Sequence, residues 1–376
     1  METLKPTLLG MDRAALATLA ETEGEPRFRG QQLLSAVYRQ RVSSIQEISS
    51  LPQQFRSALA EKGYMIGLPE TQKRFLSQDG TVRYLFQFAD GQSVETVWMP
   101  EGDDGETGDG SEAGDPAVQA AGRHWDRATI CISSQVGCAV DCQFCLTAQL
   151  GVKRNLTPGE IVGQVCAVLK DQKVDPPQDR INLVFMGMGE PFLNYENFMA
   201  AVRLLVEEVS IPESRMTVST AGIVPRIHDF GKEPIRPKLA ISLNASNDEL
   251  RTRLMPLNRK WSLGKLTAAA RDFPLRTRER ITFEYVLLRD VNDAPQNARE
   301  VVELIRGIRA KVNLIALNPG PGICFSIPAE DRVLHFQQTL IKAGIPAFIR
   351  RPRGRDIYAA CGQLKQTVEI AAAPLP

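Results

Sequence analysis

The spacing of apolar and polar positions divides the chain into four stretches. Up to residue 68, DRAALATLAE, FRGQQLLSAVYRQ and SLPQQFRSALAEKG repeat apolar residues every three or four positions, which predicts helices with one buried face. Residues 1–68 thus read as a small helical accessory domain. From Thr71 to Met99 the period shortens to two, and Asp79-Gly80 and Asp90-Gly91 supply the positive φ that tight hairpin turns need. Residues 69–100 are expected to form a short antiparallel β meander.

Between residues 101 and 125 the pattern disappears. Glu101 to Gly122 holds six glycines, seven acids and no aromatic residue, too little apolar surface to offset the entropy of ordering. A disordered insertion over 101–125 is the expectation. From residue 126 to the end, ATICISS, INLVFMG, RMTVST, KLAISLN, ITFEYVLL and KVNLIALN alternate with helix-compatible segments, the mark of a parallel βα repeat. Thr157-Pro158-Gly159-Glu160 signals the first of these helices independently, with an N-cap, a proline at the first helical position and a capping-box glutamate. The expected fold class is α/β, a partial or open (βα)6 barrel. PAFIRR is expected as a seventh strand that closes the domain before the C-terminal segment RGRDIYAACGQL.

Composition narrows the class. At 376 residues the chain exceeds one typical domain, and 43% hydrophobic with 24% charged residues excludes fibrous and mostly disordered readings. No apolar run approaches the 18 or so residues that span a bilayer, and METLKPTLLGMDRAAL is not a basic segment followed by an apolar one. A soluble cytoplasmic protein with no membrane partner is expected. The net charge of +1 hides an asymmetry: residues 101–125 carry −6, leaving +7 on the remainder. Arg276, Arg278 and Arg280 form one run and Arg350, Arg351, Arg353 and Arg355 another, which suggests a phosphate-bearing partner. Solvated charged faces are the plainer reading of the same runs.

Seven cysteines in a chain of this size argue against a disulfide scaffold and for a chemical site, because three of them fall within eight residues. Cys138, Cys142 and Cys145 lie on one loop after the first strand of the repeat. Zinc in a structural site wants four ligands, and His124, His228 and His335 lie at no ligand spacing from the triplet. An ordinary electron-transfer cluster also wants a fourth ligand, but Cys166 shares a helical face with Val162, Val165 and Leu169 and reads as a buried hydrophobe. Three protein ligands on a cluster leave one iron open to a small molecule.

The CxxxCxxC spacing, with the aromatic Phe144 before the third cysteine, resembles the radical S-adenosylmethionine (SAM) superfamily. That resemblance implies a [4Fe-4S] cluster on Cys138, Cys142 and Cys145, whose open iron chelates SAM before reductive cleavage to a 5′-deoxyadenosyl radical. Longer motifs sharpen it: CISSQVGC (131–138), TAQLGVKRNL (147–156), FMGMGEPFLN (185–194), STAGIVP (219–225), FEYVLLRDVND (283–293), LIALNPGPG (314–322) and AACGQL (359–364). Together with RFRGQQLL (27–34), VETVWMP (94–100) and AISLNA (240–245), they are similar to the RlmN and Cfr family of radical SAM RNA methyltransferases.

The resemblance implies roles for particular residues. Cys361 would be methylated by one SAM, and the radical from a second would take hydrogen from that methyl group so that its carbon adds to an adenine ring. Cys131 would then attack the sulfur of residue 361, releasing methylated RNA and leaving a transient disulfide, with Glu95 as proton acceptor. SAM contacts would fall on Gly189, Glu190, Ser219, Ser242, Leu243, Asn244 and Asn318, each at the end of an expected strand, where parallel barrels gather ligands. Without the flanking motifs, Cys131 and Cys361 read as a strand and a tail cysteine, and Ser219 and Ser242 as plain strand-end serines. Asn244 stands where some members carry histidine, and Leu146 replaces a small residue.

The implied function is methylation of adenosine carbon 2 in 23S rRNA and in tRNA beside the anticodon. The helical region would bind RNA, and an electron donor such as flavodoxin or ferredoxin would serve a monomeric enzyme. Three alternatives stay open at this point: methylation at carbon 8, a non-methylating radical SAM activating enzyme, and a noncatalytic RNA-binding iron–sulfur protein.

Overall fold

The structure is a computed structural model that describes residues 5–101 and 125–366. Helices α1 (Arg13–Thr22), α2 (Phe28–Leu34) and α3 (Gln53–Glu61) come first. Asp12 caps α1, its carboxylate accepting from Ala15 N at 2.8 Å. Strands β1 (Glu70–Leu76), β2 (Val82–Gln87) and β3 (Ser93–Glu101) form the antiparallel meander, with Gly80 and Gly91 at positive φ in its two turns.

The expected repeat follows as β4 (Arg127–Cys131), β7 (Ile181–Phe185), β8 (Met216–Thr220), β9 (Lys238–Ser242), β10 (Ile281–Leu287), β11 (Ala310–Ala316) and β12 (Ala347–Arg350), each parallel to the next. Between β4 and β7 a small ribbon intervenes, β5 (Gln135–Gly137) with β6 (Val152–Asn155), then α4 (Pro158–Gln172). The remaining crossovers carry α5 (Tyr195–Glu207), α6 (Val224–Gly231), α7 (Asp248–Leu254), α8 (Leu263–Asp272), α9 (Pro295–Ile305) and α10 (Glu330–Lys342). The capping box at α4 forms as the sequence suggests: Thr157 Oγ1 accepts from Glu160 N, and Thr157 N donates back to Glu160.

Two features of the packing bear on the site. The meander continues the barrel sheet, because β3 pairs antiparallel with β4, and ten strands run in order from β1 to β12. PAFIRR does not close a ring; β12 is an edge. The helical region shares one contiguous apolar core with the barrel, in which Leu8, Leu16 and Leu33 join Val162, Val165 and Cys166. Arg41, 6% exposed, reinforces that contact by donating to Val174 O at 3.0 Å and Asp175 Oδ1 at 3.1 Å. Of the expected disordered insertion, Glu101 is the last residue of β3 and Trp125 packs edge-on against Trp98 at 5.4 Å. Residues 102–124, and with them the rest of that expectation, lie outside the described residues. Among the described residues no helix is long and apolar enough to cross a membrane.

Candidate active site

The cysteine triplet hangs from the β5–β6 ribbon. Gly137, at φ 77°, lies so close to the Gly151 carbonyl that any side chain would clash, and Cys138 N donates to that carbonyl at 3.1 Å. The loop then turns through Asp141 at φ 58°, Cys145 N reaches Cys142 O at 3.1 Å, and Gln143 N reaches Leu254 O at 3.0 Å. Cys138 and Cys142 pack in an apolar pocket with Val140, Phe144, Leu254, Met255, Leu288 and Leu317. Burial pushes the Cys138 thiol up to about 12 and Cys142 well above its ordinary value, and neighbouring cysteines add to both shifts. Left alone these groups stay protonated. A bound cationic centre is what makes thiolates of them.

No three such side chains among the described residues converge on a single ion. A cubane cluster does not ask for that, since each cysteine takes a different iron corner. The donor set is soft thiol sulfur in an apolar pocket with no fourth ligand among the described residues, so the residues fit a [4Fe-4S] centre with one open iron. Cys166 lies fully buried in α4, its thiol pushed up to about 12 by burial, away from the triplet's pocket.

The C-terminal segment folds back onto the cluster loop. Leu146 N donates to Gly362 O at 2.8 Å, Thr147 Oγ1 to Leu364 O at 2.8 Å, and Asn318 Nδ2 to Cys361 O at 3.2 Å. Gln363 Nε2 adds a bond to Pro319 O at 2.8 Å. The larger side chain at position 146 has a local fit: it fills the space beside Gly320, where an added Cβ would meet Leu146 Cδ1 at 2.6 Å. These ties bring Cys361 into a cavity of about 500 Å³ that Cys131 and Cys145 also line. Cys131, at the end of β4, is 9% exposed, and burial first and then the neighbouring Cys361 push its thiol up. Cys361 opens to solvent through the cavity, yet its depth in the barrel raises its thiol, Glu284 adds to the rise and Arg350 opposes it.

The residues expected to hold SAM form a ledge across the ends of β7, β8, β9 and β11. Gly189, at φ 99°, lies against Gln135, where an added Cβ would meet Gln135 Cβ at 2.6 Å. Glu190 is buried, accepts from Phe192 N at 3.0 Å and Ala221 N at 2.6 Å, and is pushed up to about 7 by burial. Ser219 Oγ and Ser242 Oγ lie 3.3 Å apart. Leu243 is in the core, with its N–H donated to Glu284 O at 2.9 Å. Asn244, at φ 56°, spends its amide on Val286 N at 2.9 Å and on the Met255 sulfur at 3.3 Å. Asn318 keeps Oδ1 buried with no hydrogen-bond partner, and Ser134 Oγ is likewise orphaned. An orphaned buried acceptor and hydroxyl beside the cluster loop suit a polar ligand such as SAM.

Glu95 stands apart from this cavity. It is fully buried on β3, paired with Arg83, and accepts from Lys365 N at 2.8 Å. Burial pushes its carboxyl up against the opposing pull of Arg83.

Both arginine runs do reach the cavity: Arg276, Arg278, Arg280, Arg350, Arg351 and Arg353 line it, and in all eleven Lys or Arg face two Glu. One of those glutamates escaped the sequence reading. Glu284 on β10 is paired in register with Asn313 on β11, whose amide donates to it at 2.9 Å. The signal was present as an acid and an amide at the middle position of two mostly apolar strands, ITFEYVL and AKVNLIA.

Comparison with known proteins agrees with this geometry. Residues 132–305 match the model of the radical SAM superfamily, and residues 7–65 match that of the ribosomal RNA large subunit methyltransferase N-terminal domain. A probable dual-specificity RNA methyltransferase RlmN of Koribacter versatilis is 67% identical, over 92% of this chain and 98% of that one. The dual-specificity RNA methyltransferase RlmN of Syntrophobacter fumaroxidans is 45% identical, over 91% and 92%. A crystal structure of a radical SAM methyltransferase from Sphaerobacter thermophilus superposes with a TM-score of 0.85 at 41% identity, covering 96% of this chain and all of that one. The chain's cofactors are accordingly a [4Fe-4S] cluster and SAM. With 67% identity over nearly the whole of both chains and the same fold as a radical SAM methyltransferase, the chain belongs to the RlmN family of radical SAM RNA methyltransferases.

Proposed function

We propose that this enzyme methylates carbon 2 of adenosine in 23S rRNA and in tRNA beside the anticodon, through a methyl group carried on Cys361. The observation that carries the reading is the meeting of Cys131 and Cys361, 230 positions apart in sequence, in one cationic cavity beside the cluster loop. The bound cluster and SAM supply a methyl donor and a radical able to take hydrogen from an unactivated methyl group. Everything else falls to the chain's own residues.

The three loop cysteines hold the cluster, and the ledge from Gly189 to Asn318 orients SAM above the barrel. Cys361 accepts a methyl group on sulfur; Arg350 favours the thiolate that must attack, against the burial that opposes it. Once its methyl carbon is bonded to the adenine, the base stays tethered to the protein. With the odd electron of the adduct passed to a one-electron acceptor, a part the oxidised cluster would fill, the Cys131 thiolate attacks the Cys361 sulfur. The S–C bond breaks with its electron pair going to the methylene carbon and the adenine ring, that carbon takes up a proton to complete the methyl group, and the two sulfurs are left as a disulfide as the base departs. Glu95 takes the proton lost from carbon 2, and burial prepares its carboxyl to keep one. Glu95 does not line the cavity; its link to it is the Lys365 amide, next in sequence to the cavity-lining Leu364.

The arginine runs draw the RNA backbone to the cavity, and the N-terminal helices add binding surface. Neutralising several phosphates makes such binding strongly salt-dependent. A cytoplasmic monomer served by a flavodoxin or ferredoxin completes the reading.

A denaturing gel separates the two thiol roles. Cluster-loaded Cys131→Ala should accumulate a slow, nuclease-sensitive protein–RNA band, whereas Cys361→Ala should form none. Digestion of RNA treated with the unaltered enzyme should release 2-methyladenosine. A band with Cys361→Ala, no band with Cys131→Ala, or 8-methyladenosine as the product would each overturn the part it addresses.

A further inference from the structure

Arg251, on α7, is a guanidinium with no exposed surface, and among the described residues no carboxylate pairs with it. Its Nε donates to Leu243 O at 3.1 Å, Nη2 to Ala221 O at 2.7 Å and Ser242 O at 3.0 Å, and Nη1 to Asn258 Oδ1 at 3.1 Å. A buried cation held by neutral oxygens alone is costly unless an anion stands nearby. Asp248 is one residue removed, bonded to the far side of Asn258 at 2.9 Å. The other neighbour becomes anionic only when the cluster is bound: Arg251 Nη2 donates to Ala221 O, and Ala221 lies in the same apolar pocket as Cys142, whose thiol would carry negative charge as an iron ligand. At neutral pH the guanidinium keeps its charge.

The same helix touches the cluster loop directly. Gln143 N donates to Leu254 O, and Leu254 and Met255 belong to the apolar pocket that holds Cys138 and Cys142. Helix α7 thus bridges the cysteine loop, through Leu254, and the ends of β8 and β9, through Arg251. Through Ala221, whose N–H goes to Glu190, it reaches β7 as well.

We propose that Arg251 is a positioning residue with two tasks: its fixed charge favours the reduced state of the cluster held by Cys142, and its hydrogen bonds lock the strand ends against which SAM lies. Reduction adds one electron from an external one-electron donor and forms or breaks no bond to the protein. The cluster becomes more negative by one charge, so a nearby cation stabilises the reduced form more than the oxidised one. Exclusion of water from the pocket strengthens the effect. The two tasks are separable, because lysine keeps the charge but lacks the planar fork that satisfies three carbonyls.

The inference rests on Cys142 ligating the cluster, and the experiment keeps the two apart: Cys142→Ala tests ligation by cluster content, and the Arg251 variants test the potential of a cluster that is present. Arg251→Lys, Arg251→Gln and Arg251→Met would be reconstituted anaerobically, checked for iron and sulfide, and titrated with a graded reductant while the reduced cluster is followed by electron paramagnetic resonance. SAM affinity would be measured on the same samples. Arg251→Gln and Arg251→Met should be half reduced at a more negative potential than the unaltered protein. Arg251→Lys should stay near it while binding SAM roughly tenfold more weakly, the effect of losing one or two buried hydrogen bonds. Should Arg251→Met take up no cluster, the comparison of Lys with Gln decides. Equal potentials in loaded Lys and neutral variants would overturn the charge role, and undiminished SAM binding by Arg251→Lys would overturn the bracing role. A folded Arg251→Lys that loads no cluster would overturn both and assign the residue to the architecture alone.

Discussion

The strand-end ledge joins the thiol-bearing loops at Asn318, the one ledge residue in the cavity lining, and the two are built in opposite ways. On the ledge nearly every polar group is spent: both oxygens of Glu190, the amide of Asn244, and the N–H and C=O of Leu243 all have partners. The loops carrying Cys138, Cys142, Cys145 and Cys361 are held by a handful of bonds, of which the Leu146–Gly362 and Thr147–Leu364 contacts join the two loops directly. A ledge that must present one cofactor in one pose gains from rigidity. In the proposed reaction the Cys361 thiol would serve first a methyl donor, then a base, then a second thiol, and a lighter tether suits that. If SAM lies on the ledge as proposed, Leu243 and Asn244 would act on it through shape, and the groups left for hydrogen bonding are Asn318 Oδ1 and the facing serines.

The sharpest break in this comparison is at the loop. Replacing Cys138, Cys142 or Cys145 with alanine should abolish the iron–sulfur absorbance and all SAM cleavage, because three ligands leave no redundancy. The ledge should survive, since its bonds run within the barrel, so near-ultraviolet circular dichroism should keep the native tertiary signature. A single variant that still cleaves SAM at the normal rate would remove the cluster assignment.

A milder change probes the tether. Thr147→Val keeps shape but deletes the hydroxyl that donates to Leu364 O, leaving a buried carbonyl unpaired at a cost of about 1–3 kcal/mol. The expected result is a normal cluster and normal SAM cleavage, with methyl loading of Cys361, read by mass spectrometry, reduced roughly tenfold. Equal loss of cleavage and loading would mean that the loops are no more loosely held than the ledge.

The same contrast explains what could be read in advance. The six barrel strands and the seventh edge strand were legible because each is a β-branched run between helical patterns, and the α4 cap because four consecutive residues spell it. The candidate cluster ligands were legible because the three cysteines are local in sequence. The β5–β6 ribbon was not, since three- and four-residue strands are too short to establish a period. Nor was the pairing of Glu95 with Arg83, which depends on cross-strand register, or the bridging role of Arg251, whose helix DELRTRL looks like an ordinary charged surface turn. The convergence of Cys131 and Cys361 came from resemblance to a family, because no local pattern links residues so far apart.

The smallest expected effect sharpens the ledge itself. Burial raises Glu190 from an ordinary 4.5 to about 7, against the two backbone N–H groups that favour its charge. A carboxyl whose pKa is raised by folding binds more protons in the folded than in the unfolded state between those two values. Its contribution to stability is therefore complete below about 4.5 and is lost as pH rises through about 7. Glu190→Gln removes the titration while keeping the size of the side chain, and forfeits one backbone bond at every pH. In cluster-free protein, urea unfolding should show the difference in stability between the two proteins shrinking by roughly 1–2 kcal/mol from pH 5 to pH 8, a span that covers most of that window. Parallel profiles would mean that Glu190 ionises as freely in the fold as in the open chain. The ledge would then be wetter, and less preorganised, than its hydrogen bonds imply.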